Sequence, residues 1–263
     1  MRIKTLASAL LLAGALSANL GYNQPLEEKV AMAAEPSETS NESSGILEFY
    51  DNKGATYDFS LKIIVMNVEA DATLSVKRVG DNGYKAVISS KDGKFKYSQS
   101  TEGFVKDEKL HPLMYQMETK YSSWLQKKET QEFIYGKDLS LEKIIYRENS
   151  SFNMQTTTFY KKALEKDMTD FLSAVLQQLY NNTQGINPET EHIIRNGKVA
   201  NMEFTKHKKD AAKIKIVDKK GNELDIKGFT VSFDEDGWLK ELYIKKTMYI
   251  IKDFKLKLKS KNF

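Results

Sequence analysis

Apolar and polar residues alternate through most of this chain, and a period of two is the mark of strands with one buried and one wet face. Tyr57, Phe59, Leu61, Ile63 and Val65 alternate with Asp58, Ser60, Lys62 and Ile64. Ala70, Ala72, Leu74 and Val76 alternate with Asp71, Thr73, Ser75 and Lys77. Gly80-Asp81-Asn82-Gly83 then turns the chain into Tyr84 to Ile88, and Lys91-Asp92-Gly93 turns it again before Phe95, Tyr97 and Gln99. Pro112, lacking a backbone N–H, suits the start of a strand carrying Leu113, Tyr115, Met117 and Thr119. Residues 133–135 and 152–160 read as further strands with weaker patterns. Asn196-Gly197 is a two-residue hairpin signal between residues 191–195 and 199–204. Residues 213–217 and 224–226 flank a second turn, and Phe229, Val231 and Phe233 lead into two last strands at 238–245 and 248–258.

One segment breaks the period. Met168, Phe171, Leu172, Val175, Leu176 and Leu179 fall on one face of an amphipathic helix near residues 167–180. Asp167 is read as its N-cap, Asp170 as a favourable charge in the first turn, and Asn181-Asn182 with Gly185 as its end. Ser173, Gln177 and Tyr180 fall on the opposite face. The expectation is a mainly β fold: a large antiparallel, curved or half-barrel sheet of about eleven to thirteen strands packed on one helix. Short turns and the lack of a linker make residues 46–263 a single domain. Lys255, Lys257 and Lys259, alternating with Phe254, Leu256 and Leu258, are placed on a guarded sheet edge.

The start of the chain reads as an address. Arg2 and Lys4 precede an uncharged apolar run from Leu6 to Leu16, and Ala15-Leu16-Ser17 offers a small-residue cleavage site, with cuts after Ala18 or Ala33 as alternatives. Residues 1–17 are therefore expected to be a signal peptide, too short to span a bilayer. Residues 18–45 are expected to be a disordered leader, because the end of this stretch carries no large apolar residue. The mature chain is expected to be soluble and periplasmic, with no later membrane span.

Composition removes several chemistries. With no cysteine there is no disulfide, thiolate metal site or cysteine nucleophile. A net charge of +4 is too mild to mark a nucleic-acid partner. Residues 195–263 carry 18 Lys and Arg against 10 Asp and Glu, a basic third suited to polyanions or to solubility. No nucleophile elbow, zinc-protease helix, phosphate loop or calcium loop occurs. Asp234-Glu235-Asp236-Gly237 is weighed as an oxygen-ligand cluster and read as a turn. His111 is placed in a loop, and His192 and His207 apart from one another. Glu129 with Glu132 is a carboxylate pair without geometry. No enzyme activity, catalytic residue, cofactor or metal is expected. The aromatic residues are read mainly as core, with a ligand-holding concave face as the functional alternative.

The order of motifs resembles the periplasmic family catalogued as domain of unknown function 3108. The likeness rests on Tyr57-Asp58-Phe59-Ser60-Leu61, Ala72-Thr73-Leu74-Ser75-Val76-Lys77, Gly83-Tyr84-Lys85-Ala86, Leu110-His111-Pro112-Leu113 and Thr169-Asp170-Phe171-Leu172-Ser173-Ala174-Val175. It covers residues 46–179, and Val68-Glu69-Ala70 stands where the family has a glycine. The resemblance implies an exported antiparallel β protein and supplies no catalytic residue. The expected role is a non-catalytic module binding a lipid or other amphiphile. The alternative is an assembly partner that docks another envelope protein through a sheet edge, and a hydrolase with dispersed carboxylates is a third reading.

Overall fold

The chain opens with a short helix, α1 (Gly45–Tyr50), followed by β1 (Lys53–Ile63), β2 (Met66–Val79), β3 (Gly83–Asp92) and β4 (Phe95–Lys106). Next come β5 (Lys109–Tyr121), β6 (Leu125–Tyr135), β7 (Leu141–Ser150) and β8 (Asn153–Tyr160). The two-residue β9 (Met168–Thr169) leads into helix α2 (Phe171–Thr183). The chain ends in β10 (Thr190–Arg195), β11 (Lys198–Lys208), β12 (Ala211–Asp218), β13 (Phe229–Phe233), β14 (Leu239–Lys245) and β15 (Ile251–Asn262). This computed structural model describes residues 45–263 except 52, 64–65, 93–94, 122–124, 151–152, 165–166, 188, 196, 209–210, 224–228, 237, 246–250 and 263. The expected signal peptide and leader, Trp124 and Asn196 lie outside the described residues.

All fifteen strands belong to one curved, unclosed sheet, in the order β8-β7-β6-β5-β4-β3-β2-β1-β15-β14-β13-β12-β11-β10-β9. Every pair is antiparallel except β9 with β10. The strand count exceeds the expectation because β7 has no clear alternation and the two-residue β9 falls inside the expected helix, so neither is foreseen. The sheet is two meanders joined at the first and last strands, with Gly54 opposite Asn262 and Ile63 opposite Ile251. The Lys255–Lys259 segment is therefore not an edge. It lies in mid-sheet between β1 and β14, and β8 and β9 are the two ends. Its lysines serve the outer face, where Lys259 Nζ lies 2.8 Å from Asp71 and 3.7 Å from Asp58, and Lys255 Nζ lies 3.2 Å from Glu241. Exposed pairs of this kind contribute little to stability.

Pro112 also departs from expectation. It sits inside β5, where a register shift places Gly103 opposite it. A Cβ on Gly103 would lie 2.1 Å from the His111 carbonyl oxygen, so only glycine permits this close approach. The bulge accommodates the missing N–H in mid-strand. His111 is thereby a strand residue, its ring stacked on Phe104 at 5.1 Å, and burial lowers its pKa.

Helix α2 lies in the curve of the sheet and is buried almost all round, from Leu172 to Asn181. The face opposite the apolar stripe is bonded to the sheet. Ser173 Oγ lies 2.8 Å from the Tyr84 hydroxyl and 3.0 Å from Thr101 Oγ1. Gln177 Oε1 accepts from Leu110 N–H at 2.9 Å, and its Nε2 donates to the Glu108 carbonyl at 3.1 Å. Buried polar groups are tolerated only when matched in this way.

The helix starts three residues later than Asp167 would place it. Its N-cap is Asp170, fully buried, while Asp167 is exposed with φ of 61°. The Asp170 carboxylate accepts from Leu172 N–H at 2.8 Å and Ser173 N–H at 3.0 Å, and from the Thr101 and Ser173 hydroxyls at 2.6 Å each. Burial outweighs these bonds and raises its pKa above the usual carboxylate value. Replacing Asp170 with alanine is expected to cost about 2–3 kcal/mol in urea denaturation, a lost cap plus two stranded hydroxyls. Because the folded pKa is the higher one, its titration favours folding below an unfolded pKa near 3.9, and that share is lost as pH rises through the folded value. Wild type should accordingly gain stability over Asp170→Asn as pH is lowered from 7 toward 4.

Helix α1 stands where the sequence reading ends the leader at residue 45 and begins the strands at residue 46. Its six residues bury Ile46, Leu47 and Tyr50. The β4–β5 turn holds it: Asp107 and Glu108 both have positive φ, as a tight two-residue hairpin requires. The Glu108 carboxylate accepts from Gly45 N–H and Ile46 N–H at 3.0 Å each and from the Tyr180 hydroxyl at 2.7 Å. Phe49 and Tyr50 pack against Trp238 with ring centroids 6.4 and 6.0 Å away. Tyr50 also donates to the Leu176 carbonyl of α2.

Candidate binding site

The concave face is divided by chemistry. From β10 round to β15 it is apolar: Ile193, Met202, Ile214, Val231, Leu242 and Leu256 are buried in one cluster with α2. On β4 to β7 the same face becomes polar, and the strand register sorts it into rows. Tyr97, Thr119 and Lys127 stand side by side. Beside them run Gln99, Met117, Glu129 and Glu148, and then Thr101, Tyr115, Gln131 and Tyr146. All are buried except Glu148, whose side chain is 10% exposed.

Most of these groups satisfy one another. Lys127 Nζ lies 2.8 Å from Glu148 Oε2 and 3.3 Å from Glu129 Oε2. Tyr146 donates to Glu148 at 2.7 Å, and Gln131 Nε2 donates to Glu129 Oε1 at 3.0 Å. Tyr97 donates to Gln99 Oε1 at 2.7 Å, and Gln99 Nε2 donates to the Tyr115 hydroxyl at 3.1 Å. Burial raises the pKa of Tyr97, Tyr115 and Tyr146, so these phenols remain protonated.

The curl brings the opposite end of the sheet onto this wall. Gln131 Nε2 also donates to the Ile194 carbonyl of β10 at 3.2 Å. Gly197, at the β10–β11 turn with φ of 67°, sits so close to β7 and β8 that a Cβ there would meet Gln155 Nε2 at 2.6 Å. Arg195, the last residue of β10, is buried on the same side. Next to the polar wall the lining turns aromatic: Phe59 stacks on Phe95 at 5.5 Å and on Tyr97 at 6.3 Å.

The candidate residues weighed from sequence fall elsewhere. Glu129 and Glu132 are on opposite faces of β6; Glu132 is turned outward to Arg147 at 3.3 Å. Asp234 makes a turn, accepting from Asp236 and Trp238 N–H, and Lys261 pairs with both Asp234 and Asp236. His192 bonds Asn201 at 3.0 Å, and the His207 side chain lies outside the described residues. Among the described residues no cluster of three metal-ligating side chains occurs. The polar wall was missed because its inward residues are polar where a core strand is expected to be apolar.

No family model matches the chain, and no curated protein matches it in sequence. Two solved structures are similar over most of their length. One is a domain assigned to outer membrane lipoprotein sorting from Vibrio parahaemolyticus, at 10% identity over 90% of both chains with a TM-score of 0.23. The other is a DUF1329 family protein from Desulfovibrio piger, at 8% identity over 92% of this chain and 94% of that one with a TM-score of 0.18. Neither likeness carries an argument at these TM-scores. No helix among the described residues is long and apolar enough to cross a membrane.

Proposed function

We propose that this chain is an exported, non-catalytic binding module of the cell envelope that holds an apolar or amphiphilic ligand on its concave face. The observation that carries the reading is the division of one buried face into an apolar wall and a facing polar wall, the pattern an amphiphile matches end for end. The signal-peptide pattern of residues 1–17 and the resemblance to the domain of unknown function 3108 family support a periplasmic address. Glu129 and Glu148 are both engaged by Lys127, which supports an internal ion cluster over an acid–base pair.

The second reading is docking of a strand from another envelope protein, and β8 favours it. This end strand, Asn-Met-Gln-Thr-Thr-Thr-Phe-Tyr, has no charge, and Met154 and Tyr160 are 78% and 65% exposed. An end strand without lysine or proline is open to pairing. The test is mass spectrometry of an organic extract from natively purified protein, beside in-cell crosslinking from Thr156. The expected result is a stoichiometric amphiphile. An empty extract from folded protein, together with a discrete heavier crosslinked band, transfers the assignment to the β8 edge.

A further inference from the structure

Arg195 is a buried charge outside every ion pair among the described residues. It is 7% exposed and its Nε has no hydrogen-bond partner. The other charged groups on this wall have close partners: Lys127 lies between two carboxylates, and Asp170 takes four hydrogen bonds. A lone buried cation is strongly disfavoured unless an anion joins it. Two further polar atoms of the same wall share its condition, Thr119 Oγ1 and Gln131 Oε1. The Tyr115 hydroxyl accepts from Gln99, which leaves its own proton to donate.

Gln131 brings Arg195 to the polar wall, beside Tyr115. Gln131 is tied to the carbonyl of the residue preceding Arg195. Burial raises the pKa of the Tyr97 and Tyr115 hydroxyls, the Glu129 charge raises both further, and the positive charge of Arg195 draws both down. We infer that Arg195, with the Tyr115 hydroxyl, forms an anchor for the oxyanion head of a single-chain amphiphile, a carboxylate or a phosphate, whose tail runs past Thr119 along Phe59 and Phe95. The inference rests on the amphiphile-binding reading and adds the head-group class. Arginine suits the role because its planar fork meets two oxygens of one oxyanion. The aromatic rings begin where the polar wall ends, since Tyr97 belongs to both.

The test uses the full mature chain, delipidated and refolded, titrated calorimetrically with dodecanoate, dodecyl phosphate and dodecanol. Wild type should bind at least one of the anionic probes about tenfold or more tightly than dodecanol, and the better of the two names the source. Arg195→Leu should bring all three to the dodecanol level, and Arg195→Lys should keep part of the difference. Arg195→Leu should also melt at the same temperature as wild type or above it, because it removes an unmatched buried charge. An anionic preference that survives Arg195→Leu, or a drop of several degrees in its melting temperature, overturns the anchor. Equal binding of all three probes by wild type overturns it too while leaving the amphiphile reading standing. Binding of none removes both.

Discussion

Lys127→Met is expected to destabilise the fold by about 3–5 kcal/mol, the usual cost of removing one partner from a buried charge pair. The ammonium is shared by Glu129 and Glu148, whose side chains are 3% and 10% exposed. Without it two carboxylates are left in a poorly hydrated wall. Gln131 and Tyr146 still donate to them, but neither supplies a positive charge. The check is urea denaturation of the single variant beside Lys127→Met/Glu129→Gln/Glu148→Gln. The triple variant should recover most of the loss, because a neutral cluster has no charge to desolvate. A loss below about 1 kcal/mol for the single variant would mean that water reaches the carboxylates.

Tyr50→Ala is expected to cost about 3–5 kcal/mol, as truncation of a large buried aromatic does. Tyr50 is 2% exposed and touches Phe49 and Trp238 edge-on, at 4.7 and 6.0 Å between centroids. Its hydroxyl is a smaller matter, because the Leu176 carbonyl it reaches lies within a helix that already uses that group. Tyr50→Phe should therefore lose only about 0.5–1.5 kcal/mol. Thermal melts of the two variants separate ring packing from the hydrogen bond. Equal losses would place the stabilisation in the hydroxyl and refute the packing account.

Period-two reading recovered the strands whose inner face is apolar, such as β2 with Ala72, Leu74 and Val76. It caught only the end of β6, residues 133–135, because the residues that face inward before them are Lys127, Glu129 and Gln131. Alternation is visible only when the buried face is apolar, so the wall that carries the candidate site is the part that hydropathy hides. In β7, Ile144 and Tyr146 face inward while Ile145 lies beside them on the other face, which blurs the pattern. The six residues of α1 are too few to show a helical repeat. The α2 stripe was legible, but the partners of its polar side were not, since sequence reports which residues are polar and not which acceptors the sheet will bring. The lysine alternation of β15 was misplaced for a related reason: alternation distinguishes the two faces of a strand and is silent about its neighbours. Arg195 was visible only as the residue before Asn196-Gly197. Its isolation follows from the curl that carries β10 across to β6, a contact 63 residues apart in the chain.

The pairing of β1 with β15 has a bearing on biosynthesis. Each arm of the sheet zips from neighbouring strands, a cheap local process, whereas this one seam joins the first and the last of the fifteen strands. The last of the fifteen strands is thus the keystone. Until it arrives, β1 and β14 each present a bare ladder of N–H and C=O groups, and a chain that stops short of residue 251 keeps both. Premature termination would leave two templates for aggregation in what should have been the middle of the molecule.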